Sequence, residues 1–347
     1  MFYLCLNLAM KSRRLLFILF ALTGICNGIF AQDGGDAQAF IREAVQLNKD
    51  SKYTDAIDKY TAALKLEPEN LSANYGIAFS LLGADRGKEG IPYLEKVISS
   101  NSTYTTWAYD LLGSIYDKAR EPAKAIAAYR AGIKIDPKYQ TLYYNLGLVY
   151  FREKDYAEAE KCVIESMKLD PKHANSQRVY ALVCFHQNKR ANALLGFCSF
   201  ILLEPNTARS TEAYGNIEHI LQGGNLKADP GMPLSMVDAN SIALNLAIGK
   251  AIFDTNKKKY PGPADQLTAE LTTIFTAIGQ LADKQNADPV FRKYFANYFF
   301  QLAQSANMPA FARMIHEADP ENAKWISDHP LYMNELYGWV KTAERGF

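Results

Sequence analysis

Residues 143–171 read YYNLGLVYFREKDYAEAEKCVIESMKLDP. Tyr143, Leu146, Gly147 and Tyr150 recur at the i, i+3, i+4, i+7 spacing of one helical face. Polar Glu153-Lys154-Asp155 follows, and then a second apolar stripe at Ala159, Val163 and Ser166. Asp170-Pro171 stops that helix, because proline lacks the N–H and clashes with the preceding turn. The stretch therefore predicts a helix, a tight turn and a second helix. Small residues at Gly147 and Ala159 let the two helices approach closely. Large ones at Tyr143, Leu146, Tyr150 and Val163 are left to fill the space beside the hairpin.

The pattern repeats in windows of 34 residues, counted here from Gln140. The window from Ala174 supplies Tyr180, Ala181, Cys184, Ala193, Phe197, Phe200 and Pro205. The window from Thr106 supplies Tyr109, Leu112, Gly113, Tyr116, Ala125, Tyr129, Gly132 and Pro137. A window from Leu71 gives Ile77, Ala78, Leu81, Gly90, Leu94 and Val97, with Ser102 in place of the proline and one extra residue near 101–104. Pro92 there predicts a short second helix starting near Ile91. The first window, from Ala37, gives Phe40, Ala44, Leu47, Ala56, Tyr60, Ala63 and Pro68. A hairpin of this kind cannot bury its stripes alone, so successive hairpins must stack.

These five windows, in register over residues 37–205, resemble the tetratricopeptide repeat (TPR) family. The most specific matches are the Tyr-Leu-Gly-Tyr spacing of the third and fourth windows and the closing Asp-Pro or Glu-Pro. The resemblance implies an all-α fold: a TPR-type helical-hairpin solenoid followed by a helical C-terminal region at 206–347. In that region helices are expected at 207–222, at 235–253 (with Ala239, Ile242, Ala243, Leu246, Ala247 and Ala251 as its apolar face) and at 264–284. A degenerate TPR-like hairpin is expected near 289–320, using Phe295, Ala296, Phe299, Met308, Ala312 and Ile315. Final helices are expected at 322–328 and 331–344, with Trp325, Tyr332, Tyr337 and Trp339 capping the last apolar face.

The resemblance also implies a concave surface lined by the first helices of successive repeats. Its positions are occupied here by Tyr75, Phe79, Trp107, Tyr144, Asn145, Leu148, Phe151, Arg152, Arg178, Leu182 and Phe185, with Lys118 among them. Aromatic side chains on such a face are suitable anchors for a peptide or protein segment. Asn145 matches the asparagine with which many peptide-binding members hold a ligand amide. The Lys/Arg clamp of the chaperone-tail variant is replaced by Asp110, Ser114, Asn175 and Val179, so acidic carboxy-terminal tails are not the expected ligand.

Residues 1–31 read as a signal peptide. Lys11, Arg13 and Arg14 precede an apolar run at 15–25, too short for a comfortable span, and Ala31 offers a cleavage point. Met10 is a candidate true start, Ile25 fits a lipobox poorly before Cys26, and 32–36 reads as a polar linker. Removing those three cations takes the net charge from +1 to −2, which argues against a nucleic-acid partner. The expectation is an exported protein, periplasmic in a two-membrane cell, with a lipid-anchored or tethered form as the alternative.

The three cysteines beyond the leader, Cys162, Cys184 and Cys198, are an odd number and do not form a complete disulfide framework. His-Glu-x-x-His, Cys-x-x-Cys, Gly-rich phosphate loops and the G-x-S-x-G elbow are all absent. No cofactor or metal is expected, and the reading is a non-catalytic protein-interaction scaffold. The rivals are a structural subunit of an envelope complex that uses its convex face, and an enzyme with its site in the C-terminal half. The leader reading predicts that amino-terminal sequencing of the exported chain starts at Gln32. A chain that retains residue 1 or 10 overturns it.

Overall fold

The computed structural model describes residues 30–222, 237–343 and Arg345. Most of the expected leader, including Cys26, and the turn-rich stretch at 223–233 lie outside the described residues. Every regular element among them is helical. Contacts divide the chain into two compact units, residues 1–137 and 138–347.

The first unit contains α1 (Phe30–Lys49), α2 (Tyr53–Leu66), α3 (Leu71–Gly83), α4 (Ile91–Ser99), α5 (Thr105–Lys118) and α6 (Pro122–Ile135). These are the three hairpins expected from the first three windows. Two details differ from a plain reading of the repeat. Residues 32–36, expected as a linker, belong to α1. A single 3-10 turn, Gly87–Gly90, replaces the start of the second helix in the second repeat, and Pro92 sits in the first turn of α4, where its missing N–H costs nothing. Ile41, Ala44, Ala56, Ile57, Tyr60, Ala63, Ala73, Ile77 and Leu81 form one core. Ala78, Leu94, Val97, Ala108, Leu111, Leu112, Ile115 and Ala128 form the next. Each core draws on more than one hairpin, as stacking requires.

The second unit opens with two further repeats, α7 (Gln140–Arg152) with α8 (Tyr156–Leu169) and α9 (Ala174–His186) with α10 (Arg190–Leu203). It continues through α11 (Ala208–Leu221), α12 (Ala239–Asn256) and α13 (Pro263–Lys284). A π-helical segment at Phe291–Ala296 runs directly into α14 (Asn297–Ala303), and α15 (Met308–Ile315), α16 (Pro320–Asp328) and α17 (Pro330–Thr342) complete it.

Turn chemistry fixes the period. Ser51, Asp85, Arg120, Lys154 and Asn188, spaced 34, 35, 34 and 34 apart, all adopt a left-handed φ of 57–61°. At each, the following N–H reaches back across the end of the first helix: Lys52 to Leu47 O, Arg86 to Leu81 O, Glu121 to Tyr116 O, Asp155 to Tyr150 O and Lys189 to Cys184 O, all at 2.8–2.9 Å. That 6→1 bond satisfies a helix-end carbonyl and turns the chain back. The single 35-residue step reflects the extra residue at 101–104, where Asn101 takes another left-handed φ of 50°.

The small residues are where the helices touch. A Cβ on Gly113 would lie 2.4 Å from the buried Tyr129 ring, and one on Gly147 would lie 2.8 Å from Val163. Phe295, Ala296, Phe299, Met308, Ala312 and Ile315 of the expected C-terminal hairpin are all buried, but α14 and α15 both pack against α13 and scarcely touch each other, so the segment is not paired as a repeat hairpin. Its Phe295 stacks on Tyr180 of the fifth repeat, centroids 4.9 Å apart. Beneath it Gln177 donates to Pro171 O (2.7 Å) and to Tyr294 Oη, Tyr294 donates to Pro171 O (2.6 Å), and Ser199 donates to Gln177 Oε1.

Two further readings of the C-terminal region are corrected. On α12 the buried face is Leu244, Ile248, Ala251, Ile252 and Thr255, whereas Ile242 and Leu246 point outward. The helix is apolar on both sides, so periodicity alone did not separate them. The last helices are covered through Met333 and Leu336, with Trp339 against Tyr298 at 4.9 Å, while Tyr332 and Tyr337 stay exposed.

Gly113→Ala should destabilise the first unit. Overpacking against Tyr129 costs about 1–3 kcal/mol, against about 0.5–1 kcal/mol regained in helix propensity. A fall in the thermal or urea midpoint is expected, and an unchanged or raised midpoint contradicts the close-packing account.

Candidate functional site: the first-helix faces of the repeats

In the first unit, Tyr75 on α3 and Trp107 on α5 lie on the face predicted from the repeat positions. Their ring centroids are 6.5 Å apart. Tyr104, just ahead of α5, completes the group at 6.4 Å from Tyr75 and 5.4 Å from Trp107, the latter edge to face. Trp107 is 43% exposed, a large apolar surface left to solvent. Tyr75 and Phe79 are half-buried and pack against the second core of the unit. Lys118 is held in place by Leu82 O at 3.3 Å and the Asp85 carboxylate at 2.5 Å. Tyr104 escaped the sequence reading because it belongs to the inserted stretch, outside the 34-residue window.

In the second unit, α7 presents Tyr144, Asn145, Leu148, Phe151 and Arg152, and α9 presents Arg178, Leu182 and Phe185. Helical spacing sets this face; the opposite face of α7 carries the buried Leu142, Leu146, Val149 and Tyr150. The aromatic members divide by environment. Phe151 packs between Tyr156 (5.8 Å) and His186 (5.5 Å), and Phe185 meets Phe197, His186 and His219 at 5.9–6.2 Å. Both are half-buried and contribute to hairpin packing as well as to the face. Tyr144 meets His173 edge to face at 5.0 Å. Burial pushes the Tyr144 phenol above its ordinary value, and Arg209, Arg178 and Arg152 act in the opposite direction. These three guanidiniums come from three helices.

The third guanidinium was missed at the sequence level. The α11 helix begins at Ala208, one 34-residue step after Ala174, so it occupies the place of a sixth first helix. Continuing the window one further step would have found Arg209, Glu212 and His219. The structure ties this helix to α9: Arg178 pairs with Glu212 at 2.8 Å, and Arg209 donates to Asn175 Oδ1 at 2.5 Å. Arg209 also lies 3.4 Å from Glu204 and over the Phe200 ring at 5.3 Å. The arginines are thus pre-positioned. Rotamer entropy already lost in the free protein is not lost again on binding.

No group of three or more His, Cys, Asp or Glu among the described residues could hold a metal ion. Cys162, Cys184 and Cys198 are buried free thiols. Burial pushes the Cys184 and Cys198 thiols well up, which disfavours the reactive thiolate.

Residues 122–154 match the family model described as TPR repeat, and residues 140–173 match the one described as Tetratricopeptide repeat. Together with the observed hairpins, these matches place tetratricopeptide repeats at residues 122–173. Among curated relatives, the Hsp70-Hsp90 organizing protein of Triticum aestivum is 32% identical over 99 residues, 28% of this chain and 16% of that protein. The Hsp70-Hsp90 organizing protein 1 of Glycine max is 34% identical over 99 residues, 28% of this chain and 17% of that protein. The chain thus spans about a sixth of the length of these relatives. Among solved structures, YrrB, described as a TPR protein with an unusual peptide-binding site, superposes with a TM-score of 0.43 at 19% identity, over 54% of this chain and 95% of that one. The pilF protein of Pseudomonas aeruginosa gives a TM-score of 0.47 at 17% identity, over 58% and 95%.

His173 yields a pH prediction. It caps the start of α9, its Nδ1 accepting from the Ser176 N–H at 3.3 Å, which requires that nitrogen unprotonated. Burial holds the imidazole below its ordinary value of 6.5, with Asp170 opposing. Below 6.5 the unfolded chain takes up a proton that the folded chain resists. The stabilisation is complete above 6.5 and is lost as pH falls through the folded value. Urea titrations from pH 7.5 to 5 should show stability falling on the acid side. His173→Asn, which keeps a capping oxygen, should flatten that slope; an identical slope in the variant refutes the assignment.

Proposed function

We propose that the chain is a non-catalytic protein-interaction scaffold of an exported compartment, and that the α7–α9–α11 face of the second unit takes up an extended peptide or protein segment. The observation that carries this reading is the pair of fixed guanidiniums, Arg178 on Glu212 and Arg209 on Asn175, on first helices whose exposed side also carries the half-buried Tyr144, Leu148 and Leu182. The arginines supply forked donors for backbone carbonyls or side-chain carboxylates. Tyr144, Leu148 and Leu182 supply half-buried apolar surface between them. Asn145, from the same turn as Tyr144, is suited to a ligand amide, as its match to the family's asparagine implies.

The Tyr75–Tyr104–Trp107 group of the first unit is a second aromatic anchor of the same kind. Protein binding is supported by the repeat family itself and by relatives whose names describe them as organizing two other proteins. The identity of those relatives' partners is not carried over.

The test is capture from envelope extract by the wild-type chain and by Tyr144→Ala/Arg178→Glu. Phe151 is left intact, since it packs the hairpin. A partner retained by the wild type and weakened roughly 10- to 100-fold in the folded variant is the expected result, the scale of a lost anchor. Equal capture by both removes this face from the mechanism.

A further inference from the structure

The second unit carries an apolar surface that repeat packing leaves uncovered. It lies on α12, on the side opposite its buried Leu244, Ile248, Ala251 and Thr255. Ile242, Leu246, Gly249 and Phe253 follow at i, i+4, i+7 and i+11 and share one stripe. Their exposures are 48% for Ile242, 69% for Leu246 and 62% for Phe253. A Cβ built on Gly249 would meet nothing within 4 Å, so the stripe is open along its length. At 18 residues the helix presents it over about 27 Å.

The surroundings of the stripe are cationic. Lys250 borders it, and the helix ends in Lys257, Lys258 and Lys259, all exposed. Lys257 Nζ sits 3.9 Å over the Phe253 ring, so charge and apolar surface are presented together. Beside the stripe runs a shallow groove of about 380 Å³ between α12 and α13, with Lys250 and Lys284 on its rim and Ala247, Ala251, Ala277 and Leu281 in its floor. Asp254 is the carboxylate lining that groove, and it lies 3.7 Å from Lys257.

We propose that this face of α12, with the lysine loop that follows it, is a docking surface for an anionic phospholipid bilayer. An amphipathic helix lying in the interface buries its apolar stripe at the acyl boundary while flanking lysines reach anionic headgroups. Here the stripe is one face of a helix whose other face is anchored to the protein: Asn245 accepts from the Arg190 N–H at 2.9 Å and donates to Asn188 O at 2.7 Å. A parallel two-fold pairing of the stripe would set Lys257–Lys259 against their own copies, which disfavours that arrangement of a second copy. The described helices include none long and apolar enough to cross a membrane. It lies on different helices from the α7–α9–α11 face and does not depend on that reading.

The test uses the full-length chain carrying Leu246→Trp, mixed with vesicles of brominated phosphatidylcholine or of the same lipid with an equal share of phosphatidylglycerol. The parent chain, with Trp107, Trp325 and Trp339, sets the background. The expected result is a blue shift and bromine quenching at residue 246 with the anionic vesicles only. Lys257→Glu/Lys258→Glu/Lys259→Glu in the same background should weaken that signal by roughly 100-fold or more. Four results each overturn the proposal. One is an unshifted emission at 246, even where the chain sediments with vesicles through its leader. Equal quenching in phosphatidylcholine alone is another. Emission already blue-shifted in buffer would show that the chain covers the stripe itself. An oligomer dissociated by Leu246→Asp would make the stripe a self-interface.

Discussion

Each helical hairpin in this chain has more apolar surface than its own two helices can cover. The first face of a hairpin is used up internally, with Gly113 against Tyr129 and Gly147 against Val163. Within the first unit the second face is covered by the next hairpin. The two cores of the first unit therefore span hairpins rather than sit inside them. The left-handed turns at 34- to 35-residue intervals reverse the chain between the two helices of each of the five repeats. Hydrophobic burial supplies the driving force, and the turn geometry sets where the buried surface falls.

The same constraint explains the C-terminal region. The fifth repeat still needs cover, and Phe295 on Tyr180 provides it from a segment more than one hundred residues further along. That junction is not purely apolar. Gln177 is fully buried, and its amide is satisfied by Pro171 O, Tyr294 and Ser199. Arg345 donates to Ser199 from the chain's last few residues and lies 4.0 Å over the Tyr298 ring. A buried amide that lost one of these partners would cost about 1–3 kcal/mol. The network therefore favours one docking of the C-terminal segment over its near alternatives.

What remains outside these cores includes the first-helix faces of the repeats. The first-helix faces keep aromatic and guanidinium groups that no stacking contact fully absorbs. In the second unit α7, α9 and α11 contribute Arg152, Arg178 and Arg209. Two of the three were legible in the sequence, because Arg152 and Arg178 fall at repeat positions. Arg209 was hidden because the apolar signature of a full repeat fades after Pro205, although its 34-residue phase continues. Phe79, Phe151 and Phe185 were legible as residues of this face. Their half-burial was not, since a side chain's exposure depends on neighbours that come from other helices.

The sequence by itself determined the helical hairpins, their period, the extra residue of the second repeat and the short helix after Pro92. All of these are local consequences of helical periodicity, proline and the turn that joins two helices. The same spacing also picked out the buried residues of the 289–320 segment, though not α13 as the helix they pack against. Only the tertiary structure decided which face of α12 is buried, how the last helices are capped and what holds the C-terminal segment down. An 18-residue helix with apolar residues on two opposite sides does not indicate by itself which side is buried. Its inward side was selected by Asn245 meeting the turn at 188–190 and by Leu244, Ile248 and Ile252 finding cover. Such choices depend on contacts between residues far apart in the chain, and no local pattern of residues encodes them.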